Sequence, residues 1–432
     1  MLGGGTFITQ NKVLPGAYFN FISKATASAN LSDRGVVGMG LDLKWGADGV
    51  IFDVTAADFQ KNSLKIFGYA YDAEEMKGLR DLFLNCKTLH VYKLTSGGEK
   101  AANTYATALY GGTRGNDIKT VIATNVDDES AFDVSTYLGT TLVDKQTVTA
   151  VTELVANDYV TFNKDTTLTI TAGTSMTGGT DGVVDATAHQ AFLDKIESYS
   201  DTNIIAYDGT EDTIKALYAA FAKRLRDEVG IKLQAVLYNK EADNVAVINV
   251  KNKCTESESA LVYWVAGKEA GTAVNKSVTN DVYDGEFSVD VNYTQKQLEA
   301  AIKAGEFVLH QVGTEIRVLE DINSFVSVTD EAGEVFQDNQ TIRIIDMIAT
   351  SVADVFVSKY LGKVPNNESG RISLWSDIVK IHQELADIQA LENFESGDIT
   401  VAQGDSKKAV VVDSAITVVN AMTKIYMHTV VA

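Results

Sequence analysis

The sequence predicts an α+β multidomain protein. An α/β layered-sheet domain is interrupted by a small all-β domain, and a C-terminal α/β domain built on a long helical hairpin follows, with extended strand arms at both ends. Three observations carry this prediction. Strand and helix patterns alternate from Arg34 to about Leu94 and again after Gly182. Between about Asp117 and Gly182 the chain turns to short Thr- and Val-rich runs with almost no helical period. Near the C-terminus, two long amphipathic helical patterns follow one another.

Residues 1–24 read as an extended arm. Gly3, Gly4 and Gly5 lead into the extended piece Thr6 to Thr9, which holds Phe7 and Ile8. Behind a Pro15-Gly16 turn, Ala17, Phe19 and Phe21 alternate with Tyr18, Asn20 and Ile22. Such a strand has few local partners for its backbone groups and is expected to pair with a sheet edge elsewhere. The α/β domain is assigned to 25–116 and 183–335, with strands at Val36 to Met39 and Thr88 to Leu94 around a helix at Glu74 to Asn85. The inserted β domain, 117–182, carries strand-like runs at Thr147 to Val151, Tyr159 to Phe162 and Thr166 to Thr171.

After the insertion come a helix near Ala188 to Tyr199, a strand at Asn203 to Tyr207 and a helix from Thr213 to Val229 stopped by Gly230. Strands at Ile231 to Leu237 and Val245 to Val250 follow. In the second helix Leu217, Ala220, Phe221 and Leu225 share one face, with Lys215, Lys223 and Arg226 placed off it. The C-terminal domain, 336–407, opens on a helix from Asn339 to Leu361, with Gly362 as its stop and Pro365 beyond. A second helix, Ser369 to Leu391, carries Leu374, Ile378, Ile381, Leu385 and Ile388 on one side. The last segment, 408–432, reads as two strands, Lys408 to Asp413 and Lys424 to Val431, so the chain ends as it begins, on a strand in search of an edge.

Composition narrows the function. The chain has 432 residues, 45% hydrophobic and 22% charged, which is enough for several ordinary cores. Its 37 basic and 58 acidic residues give a net charge of -21, a surface that repels phosphate backbones, so nucleic acid is not an expected partner. Cys86 and Cys254 form neither a disulfide framework nor a metal motif, which fits a reducing cytoplasm. Met1 to Lys12 has no secretory pattern, and apolar stretches such as Ala260 to Gly267 fall short of the roughly 18 residues a membrane span needs, so no membrane insertion is expected.

No catalytic, cofactor or metal residues are assigned. The run Gly111 to Asn116 lacks the Lys-Ser/Thr ending of a phosphate loop and reads as a turn. His90, His189, His310, His382 and His428 are scattered and read as structural. The acidic runs Asp127 to Glu129 and Glu256 to Glu258 lack an EF-hand pattern and read as solvated faces. Arg343 and Asp346 are spaced to pair across one helical turn.

Several stretches resemble the tail sheath family of contractile phages and phage-tail-like particles, in the branch found in prophages of Gram-positive bacteria. Leu14-Pro15-Gly16-Ala17-Tyr18 is similar to the family's N-terminal arm, and Asp33 to Gly38 with Lys44-Trp45-Gly46 to its opening strand and Trp-Gly turn. Ala108-Leu109-Tyr110-Gly111-Gly112-Thr113-Arg114-Gly115-Asn116-Asp117-Ile118 resembles its most distinctive motif, with departures at Gly111 and Arg114. Thr341 to Ile348, Lys359 to Asn367, Gly370-Arg371 and Met422 to Met427 resemble later landmarks in the right order, with Val419 where a proline is common.

The resemblance implies a structural subunit that polymerises as stacked six-fold rings around an inner tail tube protein, capped by baseplate and tail terminator proteins. Rings would contract from a metastable extended state, and assembly would take place in the bacterial host cytoplasm before the particle is released. It further implies that the N-terminal arm and the C-terminal strand (Lys424, Ile425, Tyr426, Met427, His428, Thr429, Val430 and Val431) add to neighbouring subunits. Helix residues Arg371, Trp375, Asp377 and Lys380 would face the tube. Other readings are the sheath of a genome-free bacteriocin-like or injection particle, an α/β enzyme with an unrecognised site, and a surface adhesin, against which the missing export pattern speaks.

Overall fold

The computed structural model describes residues 34–330 and 332–431, so the arm residues Phe7, Ile8 and Ala17 to Ile22 lie outside the described residues. The chain runs from Arg34 into β1 (Val36–Leu41), β2 (Ile51–Thr55), α1 (Ala56–Phe67), α2 (Lys77–Phe83) and β3 (Thr88–Lys93). β2 and α1 were not expected from the sequence pattern. Thr55 starts α1 by accepting the Asp58 amide at 3.1 Å, and Phe59 and Phe67 turn inward.

A β-rich region follows: β4 (Lys100–Ala102), β5 (Ala106–Gly111), β6 (Ile118–Thr124), β7 (Phe132–Leu138), β8 (Thr141–Val148), β9 (Val160–Phe162) and β10 (Thr171–Ser175). It forms two antiparallel sheets, ordered β4-β5-β9 and β10-β6-β7-β8. Their inward residues, among them Ile118, Ile122, Val134, Val160 and Met176, close around one core. This core recruits β4 and β5, which precede the boundary expected at Asp117. The strand expected at Thr166 to Thr171 lies instead at Thr171–Ser175, where pairing with β6 shifts register between Thr171 and Thr174. A Thr-rich run with polar residues on both faces specifies register weakly. The run at Thr147 to Val151 splits into the end of β8 and a short 3-10 turn at Val151–Glu153.

The α/β pattern then resumes with α3 (Ala186–Ile196), β11 (Ile204–Tyr207), α4 (Asp212–Arg224), β12 (Gln234–Tyr238), β13 (Val247–Val250), α5 (Leu261–Gly271), α6 (Gln295–Lys303) and β14 (Glu306–Phe307). One seven-stranded sheet results, in the order β14-β13-β12-β11-β1-β3-β2. It is parallel except that β2 runs antiparallel to β3. One face packs on α1, α2 and α5 through Phe59, Leu82 and Trp264, the other on α3 and α4 through Phe192, Tyr218 and Leu225. Central parallel strands covered on both faces are buried throughout: all four residues of β11 and of β13 are buried, and all are apolar except Asn249. Gly230, at φ 93°, ends the turn after α4 by donating to Leu225 O at 2.8 Å. Lys223 is exposed as expected, but Lys215 and Arg226 are buried, because Asp212 receives Lys215 at 2.7 Å and Asp346 receives Arg226 at 2.6 Å.

After the hairpin of β15 (Leu309–Val312) and β16 (Glu315–Val318) come α7 (Asn339–Val355) and α8 (Glu368–Asp387). Asp338 caps α7 by accepting Thr341 N at 3.1 Å, and Asn367 caps α8 by accepting Gly370 N at 2.8 Å. The helices face one another across Val355, Tyr360, Leu374, Ile378 and Ile381. Two small antiparallel sheets close the chain. β17 (Leu391–Glu392) pairs with β20 (Thr417–Val418), and β18 (Ile399–Gln403) pairs with β19 (Val410–Ser414). The strand expected at Lys424 to Val431 is not formed within the chain: residues 422–431 adopt neither helix nor strand. A strand exists only where its amides and carbonyls meet a partner, and no described segment of the chain supplies one.

Candidate functional site

Open parallel sheets take up ligands at the carboxyl ends of their strands, where the strand order reverses, here between β1 and β11. That crevice is filled with the chain's own residues. Lys93, at the end of β3, is fully buried and donates to Gly111 O at 2.5 Å while pairing with Asp48 at 2.9 Å. At the end of β11 the Tyr263 hydroxyl donates to the Asp208 carboxylate at 2.5 Å, and burial pushes that carboxyl up.

The glycine-rich run beside it is packing. A Cβ at Gly111 would lie 2.2 Å from Gly98 O, and one at Gly112, whose φ is 134°, 2.1 Å from Lys44 O. Arg114 Nε donates to Gly68 O at 2.8 Å, its guanidinium sits 4.5 Å over the Tyr69 ring, and it pairs with Asp117. Trp45, fully buried, meets Tyr110 edge-on at 5.2 Å and stacks on Tyr159 at 6.2 Å. Two motifs far apart in sequence, Lys44 to Gly46 and Tyr110 to Asp117, therefore form one joint between the β-rich region and the large sheet. A cleft of about 580 Å³ lies at the opposite, amino ends of β1, β3, β11 and β12, bounded by α7.

Four of the titratable residues singled out from the sequence, His90, His189, His382 and Glu256, are held by the chain's own side chains and backbone. His90 is held between Asp53 at 2.7 Å and Asp201 at 3.3 Å. Nδ1 of His189 meets the Tyr218 hydroxyl at 3.0 Å. His382 lies 2.9 Å from Ile378 O and 3.0 Å from Ser414 Oγ, and burial pushes both His189 and His382 below the ordinary imidazole range. Among the described residues, no group of three or more His, Cys, Asp or Glu is placed to hold a metal ion. Glu256 accepts Lys77 at 3.2 Å.

Arg343 and Asp346 do not pair with each other. Arg343 reaches Glu269 at 2.5 Å and Asp321 at 2.6 Å, whereas Asp346 receives both terminal nitrogens of Arg226, at 2.6 and 2.7 Å. All five side chains are buried, so α7 is riveted to the sheet body by charge.

The C-terminal segment leaves the chain from a fixed root. β20 pairs with β17, Val419 N donates to Ala390 O at 2.9 Å, and Gln340 brackets the backbone by donating to Val419 O and accepting Ala421 N, both at 3.0 Å. Beyond this root Ile425, Tyr426, Met427, Val430 and Val431 stand in solvent, each at least 80% exposed. In the same domain β18 and β19 form a two-stranded sheet seated on α8, where Trp375 Nε1 donates to Ile399 O at 3.0 Å. Each of these strands has one edge without a ladder partner among the described residues.

On α8, Asp377 accepts Lys359 at 3.1 Å and Tyr360 at 2.7 Å, Arg371 donates to Asn366 Oδ1 at 3.1 Å, and exposed Lys380 pairs with Glu384 at 3.5 Å. The structure thus brings Trp375 and Asp377 into the hairpin's own contacts. Around the hairpin, Val357, Leu361 and Ile372 are exposed, which the sequence reading passed over; their signal was apolar residues lying off the stripe.

Residues 96–181 match the phage tail sheath protein beta-sandwich domain, 182–324 the phage tail sheath protein central domain, and 331–432 the phage tail sheath C-terminal domain. The chain is 32% identical to the phage-like element PBSX protein XkdK of Bacillus subtilis, over 99% of each sequence. It is 36% identical to the sheath tail protein of Desulfitobacterium hafniense, whose crystal structure superposes with a TM-score of 0.82 over 95% of this chain and 99% of that one. The chain belongs to the phage tail sheath family. The sheath tail protein of Listeria innocua is 30% identical, with a TM-score of 0.78 over 90% of this chain and 93% of its own. Sheath proteins are structural, so this sheath subunit is a structural protein and not an enzyme. The beta-sandwich match starts at residue 96, upstream of β4, in step with the recruitment of β4 and β5 into that core.

Proposed function

We propose that this sheath subunit polymerises as stacked six-fold rings around a tail tube, linked by strands lent between subunits. The linked rings shorten from a metastable extended state to drive the tube through a cell envelope. One observation carries the proposal: residues 422–431 project from a fixed root, exposed and rich in apolar side chains, without a partner strand among the described residues. The same C-terminal domain carries a two-stranded sheet, β18–β19, with two edges unpaired among the described residues. Sheets gain stability with a third and fourth strand, and an added strand binds through main-chain bonds that depend little on side-chain identity. In this reading one edge of β18–β19 takes the C-terminal segment of one neighbour and the other edge takes the N-terminal arm of a second.

Each ladder bond is worth only about 0.5 to 1.5 kcal/mol net, yet a strand of several residues repeated at every lattice node becomes hard to break. The links persist while the bodies between them rotate, and the larger buried interface of the contracted state supplies the work without nucleotide hydrolysis. The outward side of α8, with Arg371, Ile372 and Lys380, faces the tube, while Trp375 and Asp377 hold the hairpin that presents it. Assembly takes place in the bacterial cytoplasm, on a baseplate and up to a terminator. Negative-stain microscopy of induced particles tests the proposal: hollow cylinders of two widths are expected, and particles with one fixed width would rule out contraction.

A further inference from the structure

The buried charges around Arg343 do not add up to simple ion pairing. Arg343 donates through Nη1 to Glu269 Oε2 at 2.5 Å and through Nη2 to Asp321 Oδ2 at 2.6 Å and Lys276 O at 2.7 Å. Glu269 and Asp321 are 1% and 0% exposed. Their other oxygens, Glu269 Oε1 and Asp321 Oδ1, are buried and, among the described residues, receive no donor. The two carboxyl groups are drawn together on one guanidinium, one at each terminal nitrogen. Two carboxylates facing each other in a dry site cannot both stay ionised, and a hydrogen bond between them requires a proton.

We propose that Glu269 and Asp321 hold one proton between them, and that this proton is part of the joint by which α7 docks on the seven-stranded sheet body, so that alkali loosens α7.

The asymmetry of the site says which residue carries it. Asp321 Oδ2 also accepts Val278 N at 3.1 Å and Ser277 Oγ at 3.3 Å, so its charge is well solvated by the protein. Among the described residues, Glu269 has Arg343 alone on its side-chain oxygens. Burial, then the charge of Asp321, push the Glu269 carboxyl well above the usual range. Burial also opposes the charge on Asp321, but Arg343 and the donors outweigh it and hold that carboxyl low.

Every element packed here contributes a charge. Arg343 comes from α7, Asp321 from the loop before α7, and Arg34, from the entry to β1, donates to Glu269 O at 3.2 Å. Asp338 acts on Arg343, and Asp346 on Arg34. On α5 itself Lys268 turns away to Asp281 at 2.9 Å. The sign follows: the folded state keeps a proton that the unfolded chain releases above the ordinary glutamate range, so stability falls as pH rises toward the folded value, by about tenfold in the folded-to-unfolded ratio per pH unit.

The test uses the full chain, with E269Q and D321N, melted between about pH 6 and pH 9. An amide at either position supplies the bridging hydrogen permanently. Both variants are expected to lose the part of the alkaline decline that wild type shows, and hydrogen exchange at the start of α7 is expected to accelerate with alkali in wild type beyond the chemical rate but not in E269Q. An infrared difference spectrum, wild type minus E269Q at neutral pH, is expected to show the carbonyl band of a protonated carboxylic acid. Parallel melting profiles, or absence of that band, would overturn the proposal. So would failure of both variants to fold, since each amide fits the proposed bridge.

Discussion

Removing the Arg343 guanidinium leaves Glu269 and Asp321 buried with no cation between them, and breaking a buried pair in this way costs about 3–5 kcal/mol. R343M is therefore expected to lower the unfolding free energy from denaturant titration by that amount, whereas an exposed-pair control such as K380A, at the Lys380–Glu384 pair, is expected to change it by less than about 1 kcal/mol. A second residue-scale prediction concerns His382. Burial keeps its ring neutral, with Nδ1 donating to Ile378 O and Nε2 accepting from Ser414. A histidine with a depressed folded value lends stability that is complete above the unfolded value of about 6.5 and lost as pH falls through the folded one. An NMR titration of His382 should give a midpoint below the ordinary range, and a midpoint at or above it would contradict the neutral assignment. These partnerships were not legible in the sequence. Spacing suggested that Arg343 would meet Asp346 one turn away, but the true partner of Asp346 is Arg226, 120 residues distant, and local periodicity carries no information about such contacts.

At the scale of the element, the helical hairpin was readable because its signals are local. Asn367 stands where a cap is needed, Gly362 turns the chain at φ 70°, and the apolar stripes of α7 and α8 keep helical period. Asn367→Ala should cost about 0.5–2 kcal/mol through the lost cap and show as a lower melting temperature. By contrast α1 escaped notice because only Phe59, Ser63 and Phe67 of its twelve residues are buried, too sparse an inward face to register. The joint at Gly112 was seen only as a turn. With φ at 134° and the Lys44 carbonyl 2.1 Å from any Cβ, Gly112→Ala should destabilise the contact between the β-rich region and the large sheet, read as a lowered first melting transition.

For the whole molecule, the proposal rests on residues 422–431, which have no strand partner among the described residues, and on the acidic balance of the chain. In the proposed assembly the net charge of -21 would set like-charged rings against one another, so triggered contraction should depend on ionic strength, and a flat response would remove charge from the account. The sequence made the C-terminal strand pattern visible but could not supply its partner, which in the proposed assembly is a neighbouring subunit. A chain ending at Ala421 keeps its root on Gln340 and loses only exposed side chains, so it should melt like the full chain yet fail to form cylinders. Strand lending itself is tested most directly by hydrogen exchange at residues 422–431, compared between isolated subunits and assembled sheaths. The account predicts fast exchange in the free subunit and strong protection in the sheath; equally fast exchange in both would contradict it.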